Sequence, residues 1–130
     1  MTVQAQILLT KRVPAGTGVS YGPDYYTDRE TTLALVPLGF ADGVPRQSAG
    51  RAGVAIHGVR CPVVGRVSMD QIVVDVGDLP VSSGDIAVML GPGTDGEPTA
   101  AEWAEWAGTN PNDILTGIGA RLPRRYGPVQ

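Results

Sequence analysis

Most of the chain consists of short runs of alternating or continuously apolar residues, a pattern typical of β-strands. Residues 3–9 alternate in character, which predicts one strand with two different faces that ends before Pro14. Residues 31–38 are almost continuously apolar, which predicts a second strand that is buried on both faces. Residues 39–53 are small, polar and rich in glycine, and we expect them to form a loop of the kind that surrounds a site.

A two-residue turn separates two apolar runs within residues 54–64, and this arrangement predicts a β-hairpin. Gly58 can take the positive φ angle that such a turn needs. His57 then lies at the hairpin tip, where we expect its side chain to point into water rather than act as a ligand or general base. Further strands are predicted at residues 67–76 and 85–90.

Only the end of the chain carries helical signals. Thr99 followed by Glu102 matches a capping box, and the helix that it begins is expected to stop at Gly108. Asn110 suits the N-cap of a second short helix that ends near the glycines at 117 and 119. The chain has 18 glycines and 11 prolines along its whole length, which favours short strands joined by tight turns before these helices. The pattern therefore predicts a mainly β domain with one or two short C-terminal helices.

Length, charge and cysteine content narrow the possible functions. The 130 residues suit a single domain, and ten basic against thirteen acidic residues leave a formal net charge of −3, so no basic excess favours nucleic acid as a partner. No apolar run approaches the roughly 20 residues of a membrane span, and no signal peptide is recognisable, so we expect a soluble, cytoplasmic protein. Cys61 is the single cysteine, which excludes an internal disulfide and a thiolate zinc site; we expect it to be buried, and no metal site is predicted.

Three segments, in this order and spacing, carry a resemblance to a known family. They are Gly-Val-Ser-Tyr-Gly at residues 18–22, Gly-Phe-Ala-Asp-Gly-Val-Pro-Arg at 39–46 and Val-Gly-Arg-Val-Ser-Met-Asp-Gln at 64–71. Further similarity follows at residues 91–93, 97–100, 108–110 and 123–126. Together these segments resemble the C-terminal β-domain of alanine racemase over nearly the whole chain.

The resemblance implies a small Greek-key-like β-barrel in which residues 1–130 form one domain, and the number of predicted strands supports this fold. In that family a preceding α/β barrel carries the lysine that binds pyridoxal phosphate. Two chains associate head to tail, and each active site lies between the barrel of one subunit and the β-domain of the other. We therefore expect a domain that lacks its N-terminal barrel and belongs to a cytoplasmic, homodimeric isomerase, which interconverts L- and D-alanine and supplies D-alanine for peptidoglycan.

Lys11 is the only lysine of the chain, and it lies beside Arg12 at the polar end of an alternating segment. A lysine that binds pyridoxal phosphate must lie in a partly desolvated pocket near phosphate-binding groups, whereas a solvated charge at a loop edge suits Lys11 better. The lysine must therefore come from elsewhere, in this family from the barrel domain. We expect the isolated chain to be inactive and to bind no cofactor covalently.

The resemblance also implies roles for single residues. Tyr21 matches the catalytic tyrosine, which exchanges a proton with Cα of the substrate on the face opposite the lysine. Met69 matches a residue whose backbone N–H helps to hold the substrate carboxylate, Asp70 matches a polar residue at the same entrance, and Tyr126 matches the tyrosine that hydrogen-bonds the cofactor phosphate. The family commonly has tyrosine where this chain has Phe40, so an entrance hydroxyl is missing and substrate selectivity is open to change.

Two alternatives stay open at this point. One is a related racemase that acts on serine or on a broader set of amino acids, which Phe40 makes conceivable. The other is a stand-alone β-barrel that binds a partner and has lost the chemistry, although the presence of Tyr21, Met69 and Tyr126 together argues against it. Without the family pattern, Met69 would be interpreted as a core residue and Asp70 as a charge at a strand edge.

Overall fold

The structure is a computed structural model, and it describes residues 1–19, 25–120 and 122–125. Over this part of the chain it contains nine β-strands and two α-helices, so strands dominate as predicted. The strands are Val3–Gln6 (β1), Leu9–Val13 (β2), Gly18–Val19 (β3), Tyr25–Tyr26 (β4), Thr31–Val36 (β5), Gly53–Ile56 (β6), Val59–Val64 (β7), Ile72–Gly77 (β8) and Ile86–Leu90 (β9), and the helices are Ala100–Ala107 (α1) and Pro111–Thr116 (α2).

Seven of these strands form one antiparallel sheet in the order β1-β9-β6-β7-β8-β5-β2, and β3 pairs with β4 separately. β1 and β2 lie at opposite ends of this order, yet only Ile7 and Leu8 separate them along the chain. Because three residue steps span at most about 11 Å, the two ends must approach each other here. The Ile7 N–H donates to the carbonyl of Asp85, just before β9, and the Leu8 N–H donates to the carbonyl of Leu35 on β5. The sheet is therefore curled into a half-barrel.

The connections between the strands follow the Greek-key pattern. β6, β7 and β8 are neighbours in sequence and in the sheet, and β9 returns to lie beside β6. β5, which precedes them in the chain, lies beside β8 on the other side of the same three strands. The groups β9-β6-β7-β8 and β6-β7-β8-β5 therefore each have the strand order of a Greek key. In the second group the chain passes through that order from the opposite end. The predicted fold class, a mainly β Greek-key-like domain with two short C-terminal helices, is confirmed.

Two predicted strands have the wrong extent. The single strand predicted over residues 3–9 is divided, because β1 pairs with β9 and β2 pairs with β5. Alternation specifies the face that a side chain occupies, but it carries no information about the partner strand. The strand predicted from residue 67 begins only at Ile72, because residues 68–71 form a turn that is closed by a hydrogen bond from the Ser68 N–H to the Gln71 carbonyl.

The prediction that residues 31–38 are buried on both faces is also wrong. Thr31, Ala34 and Val36 are buried, whereas Leu33 and Leu35 stay partly exposed. A curled antiparallel sheet turns one face towards its core and leaves the other nearer to solvent, so a continuous apolar run does not require two covered faces.

The hairpin predicted within residues 54–64 is confirmed. His57 and Gly58 both have positive φ angles, of 53° and 74°, as a two-residue type I′ turn requires. The side chain of His57 is about half exposed, as expected for a hairpin tip. It also bonds to Asp85, since its Nε2 lies 3.0 Å from Oδ2 of that residue. The tip of this hairpin is thereby linked to the start of β9.

Both predicted helices are present and begin at the predicted caps. Thr99 and Glu102 form a capping box at α1, and the Asn110 side chain accepts the Asp113 N–H at α2. α1 packs on the core through Trp103, which is fully buried and whose indole N–H donates to the carbonyl of Met89 on β9, 2.7 Å away. Neither helix, nor any other among the described residues, has the length and apolarity needed to cross a lipid bilayer.

Candidate active site

Three of the five residues predicted to form the site lie within the described part of the chain. Phe40, Met69 and Asp70 are all exposed, and they occupy two loops, the one that follows β5 and the one that precedes β8. Tyr21 and Tyr126 lie outside the described residues.

Backbone hydrogen bonds join these two loops. The Phe40 N–H donates to the Ser68 carbonyl at 2.9 Å, and the Ala41 N–H donates to the Met69 carbonyl at 2.8 Å. Two distant segments of the sequence are thus held side by side. We call residues 39–42 the Phe40 loop and residues 68–71 the Met69 turn.

The close approach of the two loops depends on Gly39. A Cβ atom at this position would lie 2.6 Å from the backbone nitrogens of Asp70 and Gln71, and it would also collide with the Ser68 carbonyl oxygen. Real Cβ atoms do not approach backbone so closely, so any larger residue must separate the loops. Close packing of the two loops therefore requires glycine at position 39.

The paired loops present two large apolar side chains to the outside. Phe40 is 45% exposed and Met69 is 54% exposed. The guanidinium carbon of Arg46 lies 4.5 Å from the centroid of the Phe40 ring, so a cation covers one face of this aromatic wall. The Met69 side chain is therefore not the core residue that its apolar character alone suggests.

The backbone of Met69 also offers a hydrogen-bond donor. Its carbonyl accepts from the Ala41 N–H, but no residue in the described ranges accepts a hydrogen bond from its own N–H. An exposed backbone donor beside an aromatic wall can bind a carboxylate oxygen.

Asp42 is a residue of this region that was not among the predicted site residues. It is fully buried, and its Oδ2 accepts the Gly39 N–H at 2.9 Å, which caps the start of the short 3₁₀ helix Phe40–Asp42. On its other side, the Asp42 carbonyl accepts the Gly119 N–H at 3.0 Å. The spacing of three residues between Gly39 and Asp42 is the sequence signal that could have identified it.

Tyr25, on β4, does not have the properties of a proton acceptor. Partial burial, followed by the nearby carboxylates of Asp75 and Asp28, raises the pKa of its hydroxyl, so the phenolate is disfavoured. Tyr26 beside it is 60% exposed.

The chain has a single lysine, which lies outside the paired loops. Lys11 is exposed on β2, opposite Leu33, and it lies in neither the Phe40 loop nor the Met69 turn. Arg124 donates to the Ile118 carbonyl at 3.1 Å. Among the residues in the described ranges, no three His, Cys, Asp or Glu side chains are grouped so as to hold a metal ion.

Comparison with known proteins shows the family of this chain. The family model for the alanine racemase C-terminal domain matches residues 1–126. The alanine racemase of Salinispora arenicola is 54% identical over 127 residues, which are 97% of this chain and 34% of that protein. The chain therefore spans about a third of the length of the relatives that it matches.

Solved structures give the same result. The crystal structure of alanine racemase from Streptomyces lavendulae has a TM-score of 0.94 and 50% identity, and the match covers 99% of this chain and 34% of that one. Alanine racemase from Bartonella henselae, solved with covalently bound pyridoxal phosphate, has a TM-score of 0.88 and 35% identity, with 96% and 34% of the two chains covered. The chain belongs to the alanine racemase C-terminal domain family.

Proposed function

We propose that this chain forms the C-terminal part of a pyridoxal-phosphate-dependent alanine racemase and supplies one wall of its active site. The observation that carries the proposal is the pairing of the Phe40 loop with the Met69 turn. It brings an exposed aromatic ring, an exposed thioether and an available backbone N–H to one place on the surface. The family match and the relatives named alanine racemase support this reaction.

In this proposal Tyr21 moves the proton at Cα. As the phenolate, its oxygen takes the Cα proton of L-alanine and becomes the phenol, and in the opposite direction the phenol gives a proton to Cα. A phenol with an ordinary pKa of about 10 is a poor base at neutral pH, so cationic or hydrogen-bonding neighbours must stabilise the phenolate. Pyridoxal phosphate, when bound, withdraws electrons from Cα and so makes the proton easier to remove. The second proton-transfer group is a lysine of the barrel domain, since Lys11, the only lysine of this chain, lies on β2 and outside both the Phe40 loop and the Met69 turn.

The other site residues bind and orient the substrate. The Met69 N–H donates to the substrate carboxylate, and Asp70 lines the entrance beside it. Phe40 forms the aromatic wall without the hydroxyl that the family commonly has there, which removes a hydrogen bond worth about 0.5–1.5 kcal/mol. Tyr126 donates to the cofactor phosphate.

The proposal includes partners. The domain contacts the barrel of its own chain and the barrel of a second subunit in a cytoplasmic homodimer, so that Tyr21 acts on substrate held by the partner subunit. The product, D-alanine, supplies peptidoglycan synthesis. Taken alone, the chain lacks the lysine and is inactive.

Reconstitution tests the proposal. Residues 1–130 are placed after the N-terminal two-thirds of the Salinispora arenicola enzyme, and the resulting full-length protein, here called the holoenzyme, is loaded with pyridoxal phosphate. We expect the holoenzyme to racemise alanine, whereas neither part alone does so. A holoenzyme that is folded and binds the cofactor but leaves both enantiomers unchanged would contradict the proposal and favour a binding module.

Phe40 favours one variation of this function, a racemase that also accepts larger or more polar amino acids. The missing hydroxyl leaves the entrance slightly wider, with room for a side chain larger than a methyl group. Comparison of kcat/KM for alanine and serine, in the holoenzyme and in its Phe40→Tyr variant, decides between the two. If Phe40 broadens selectivity, the tyrosine variant discriminates more strongly in favour of alanine.

A further inference from the structure

We propose that Asp42 is a positioning residue, which fixes the Phe40 loop against the Met69 turn and thereby sets the affinity for the amino-acid substrate. This inference rests on the proposed function, because it assumes that Phe40 and Met69 line the substrate site. Asp42 is buried and does not touch the substrate, so it acts only through the residues that it holds.

Within the Phe40 loop, Asp42 bonds to both polar groups of the Gly39 backbone. Asp42 Oδ2 accepts the Gly39 N–H at 2.9 Å, and the Asp42 N–H donates to the Gly39 carbonyl at 3.0 Å. Both polar groups of the Gly39 backbone are therefore bonded to one residue. Gly39 is also a position where an added Cβ atom would collide with the Met69 turn, so the hydrogen bonds to Asp42 fix a point of close approach between the two loops.

The segment after α2 contacts the Phe40 loop on the side opposite the Met69 turn. The Gly119 N–H donates to the Asp42 carbonyl, and a Cβ atom at Gly119 would lie 2.5 Å from the Ala41 carbonyl oxygen. A Cβ atom at Gly43 would lie 2.8 Å from the Gly117 carbonyl oxygen. The segment after α2 thus packs directly on the backbone around Asp42, and the loop cannot retreat from the Met69 turn without displacing it.

The two exposed side chains of the paired loops depend on this backbone for their positions. Phe40 and Met69 are about half exposed, so packing within this domain does not determine where they lie. Their positions follow from the backbone that carries them. Loss of the Asp42 carboxylate leaves the Gly39 N–H without its acceptor, and the Phe40 loop must shift to find another. Such a shift moves the aromatic wall and the Met69 N–H relative to the substrate.

The test compares Asp42→Ala with Asp42→Asn in the holoenzyme. We expect Asp42→Ala to raise the KM for alanine roughly tenfold, the change that corresponds to about one lost hydrogen bond, while kcat changes less than KM. Asp42→Asn keeps an oxygen that can accept the Gly39 N–H, so its KM should return most of the way towards that of the parent enzyme. KM does not depend on the amount of folded enzyme, and a purely structural role therefore lowers yield and apparent kcat without changing KM.

Two further variants make the test decisive. In Gly119→Ala the added Cβ atom collides with the Ala41 carbonyl oxygen and displaces the Phe40 loop, so this variant should raise KM in the same way. It keeps the test valid if Asp42→Ala does not fold. Glu97→Gln is the matched control, because Glu97 is another buried carboxylate that accepts loop N–H groups but lies in the loop before α1; its KM should be that of the parent.

Unchanged KM in Asp42→Ala and Gly119→Ala, or an equal rise in Glu97→Gln, would overturn the inference. These results are distinguishable from failure of the proposed function, because in that case the parent holoenzyme itself does not racemise alanine.

Discussion

Two loops of this domain each contain a buried carboxylate that accepts backbone N–H groups, and they differ in which other segments of the chain the loop contacts. In the loop of residues 91–97, Glu97 accepts backbone N–H groups from Gly93, Thr94 and Asp95. Desolvation opposes its charge, but these donors outweigh it and lower the pKa of Glu97. In the Phe40 loop, Asp42 accepts the N–H of Gly39.

The hydrogen bonds shown for the Glu97 carboxylate stay within its own loop, although Arg60 on β7 also donates to the Gly96 carbonyl. All three donors come from the four residues before Glu97, and the side chain also fills the space beside Gly91, where a Cβ atom would lie 2.6 Å from Cγ of Glu97. By contrast, the Phe40 loop is locked to the Met69 turn on one side and to the segment after α2 on the other. The first arrangement stabilises a local turn, whereas the second holds two exposed side chains in a fixed relation.

The largest expected effect on stability comes from Gly39→Ala. The added Cβ atom collides with backbone of the Met69 turn, which cannot move aside as a side chain can, and we expect a loss of about 3 kcal/mol or more. Gly50→Ala is the control, because φ there is +82° and nothing lies within 4 Å, so only backbone strain of about 1–2 kcal/mol applies. Urea unfolding of the isolated chain measures both. A Gly39→Ala loss no larger than that of Gly50→Ala would mean that the two loops are not held in contact.

A smaller effect is expected from Glu97→Gln, and it should depend on pH. Because folding lowers the pKa of Glu97, its charge contributes stability above the ordinary glutamate pKa of about 4.3. That contribution is lost as the pH falls through the lower pKa of the folded protein. Unfolding measured from pH 7 to pH 3 should therefore show a shallower loss of stability in the variant than in the parent. Parallel curves would show that the loop does not depend on the charge.

The smallest effect is expected at the pair formed by His57 and Asp85, which belongs to neither loop. The Ser82 N–H and then the His57 side chain lower the pKa of Asp85, so the charge of Asp85 stabilises the folded protein at neutral pH. This stabilisation is lost as the pH falls through the lowered pKa. His57→Asn removes the ring but keeps a residue that tolerates the positive φ angle of the turn. Its unfolding midpoint should decrease less than that of Glu97→Gln. A larger decrease would show that the hairpin tip, rather than the closed loops, limits stability.

What the sequence could predict depends on how far apart the interacting residues are. The hairpin at residues 54–64 and both helix caps rest on neighbouring residues, and these predictions were correct. The division of residues 3–9 between two strands depends on β5 and β9, which lie far away in the chain. Asp42 was missed although its three-residue spacing from Gly39 is visible in the sequence, whereas its contact with Gly119 exists only in the folded domain.

The candidate site was predicted from the family resemblance more than from local pattern. On apolar character alone Met69 would be a core residue, and only the backbone pairing with Ala41 explains why it is exposed instead. The resemblance brought the Phe40 and Met69 segments together before any geometry was considered. It did not reveal that Gly39 is what allows them to touch.

The most direct measurement of the central claim is hydrogen–deuterium exchange at Cα of each alanine enantiomer, in the holoenzyme and in its Tyr21→Phe variant. Because the tyrosine and the lysine of the barrel domain act on opposite faces of Cα, we predict that exchange from L-alanine falls by roughly 10²–10⁴-fold, while the first exchange from D-alanine is retained. Tyr26→Phe, which removes the hydroxyl of an exposed tyrosine on β4, should leave both rates unchanged. Equal and small losses for both enantiomers in Tyr21→Phe would contradict the account, because Tyr21 would then only pack beside the site.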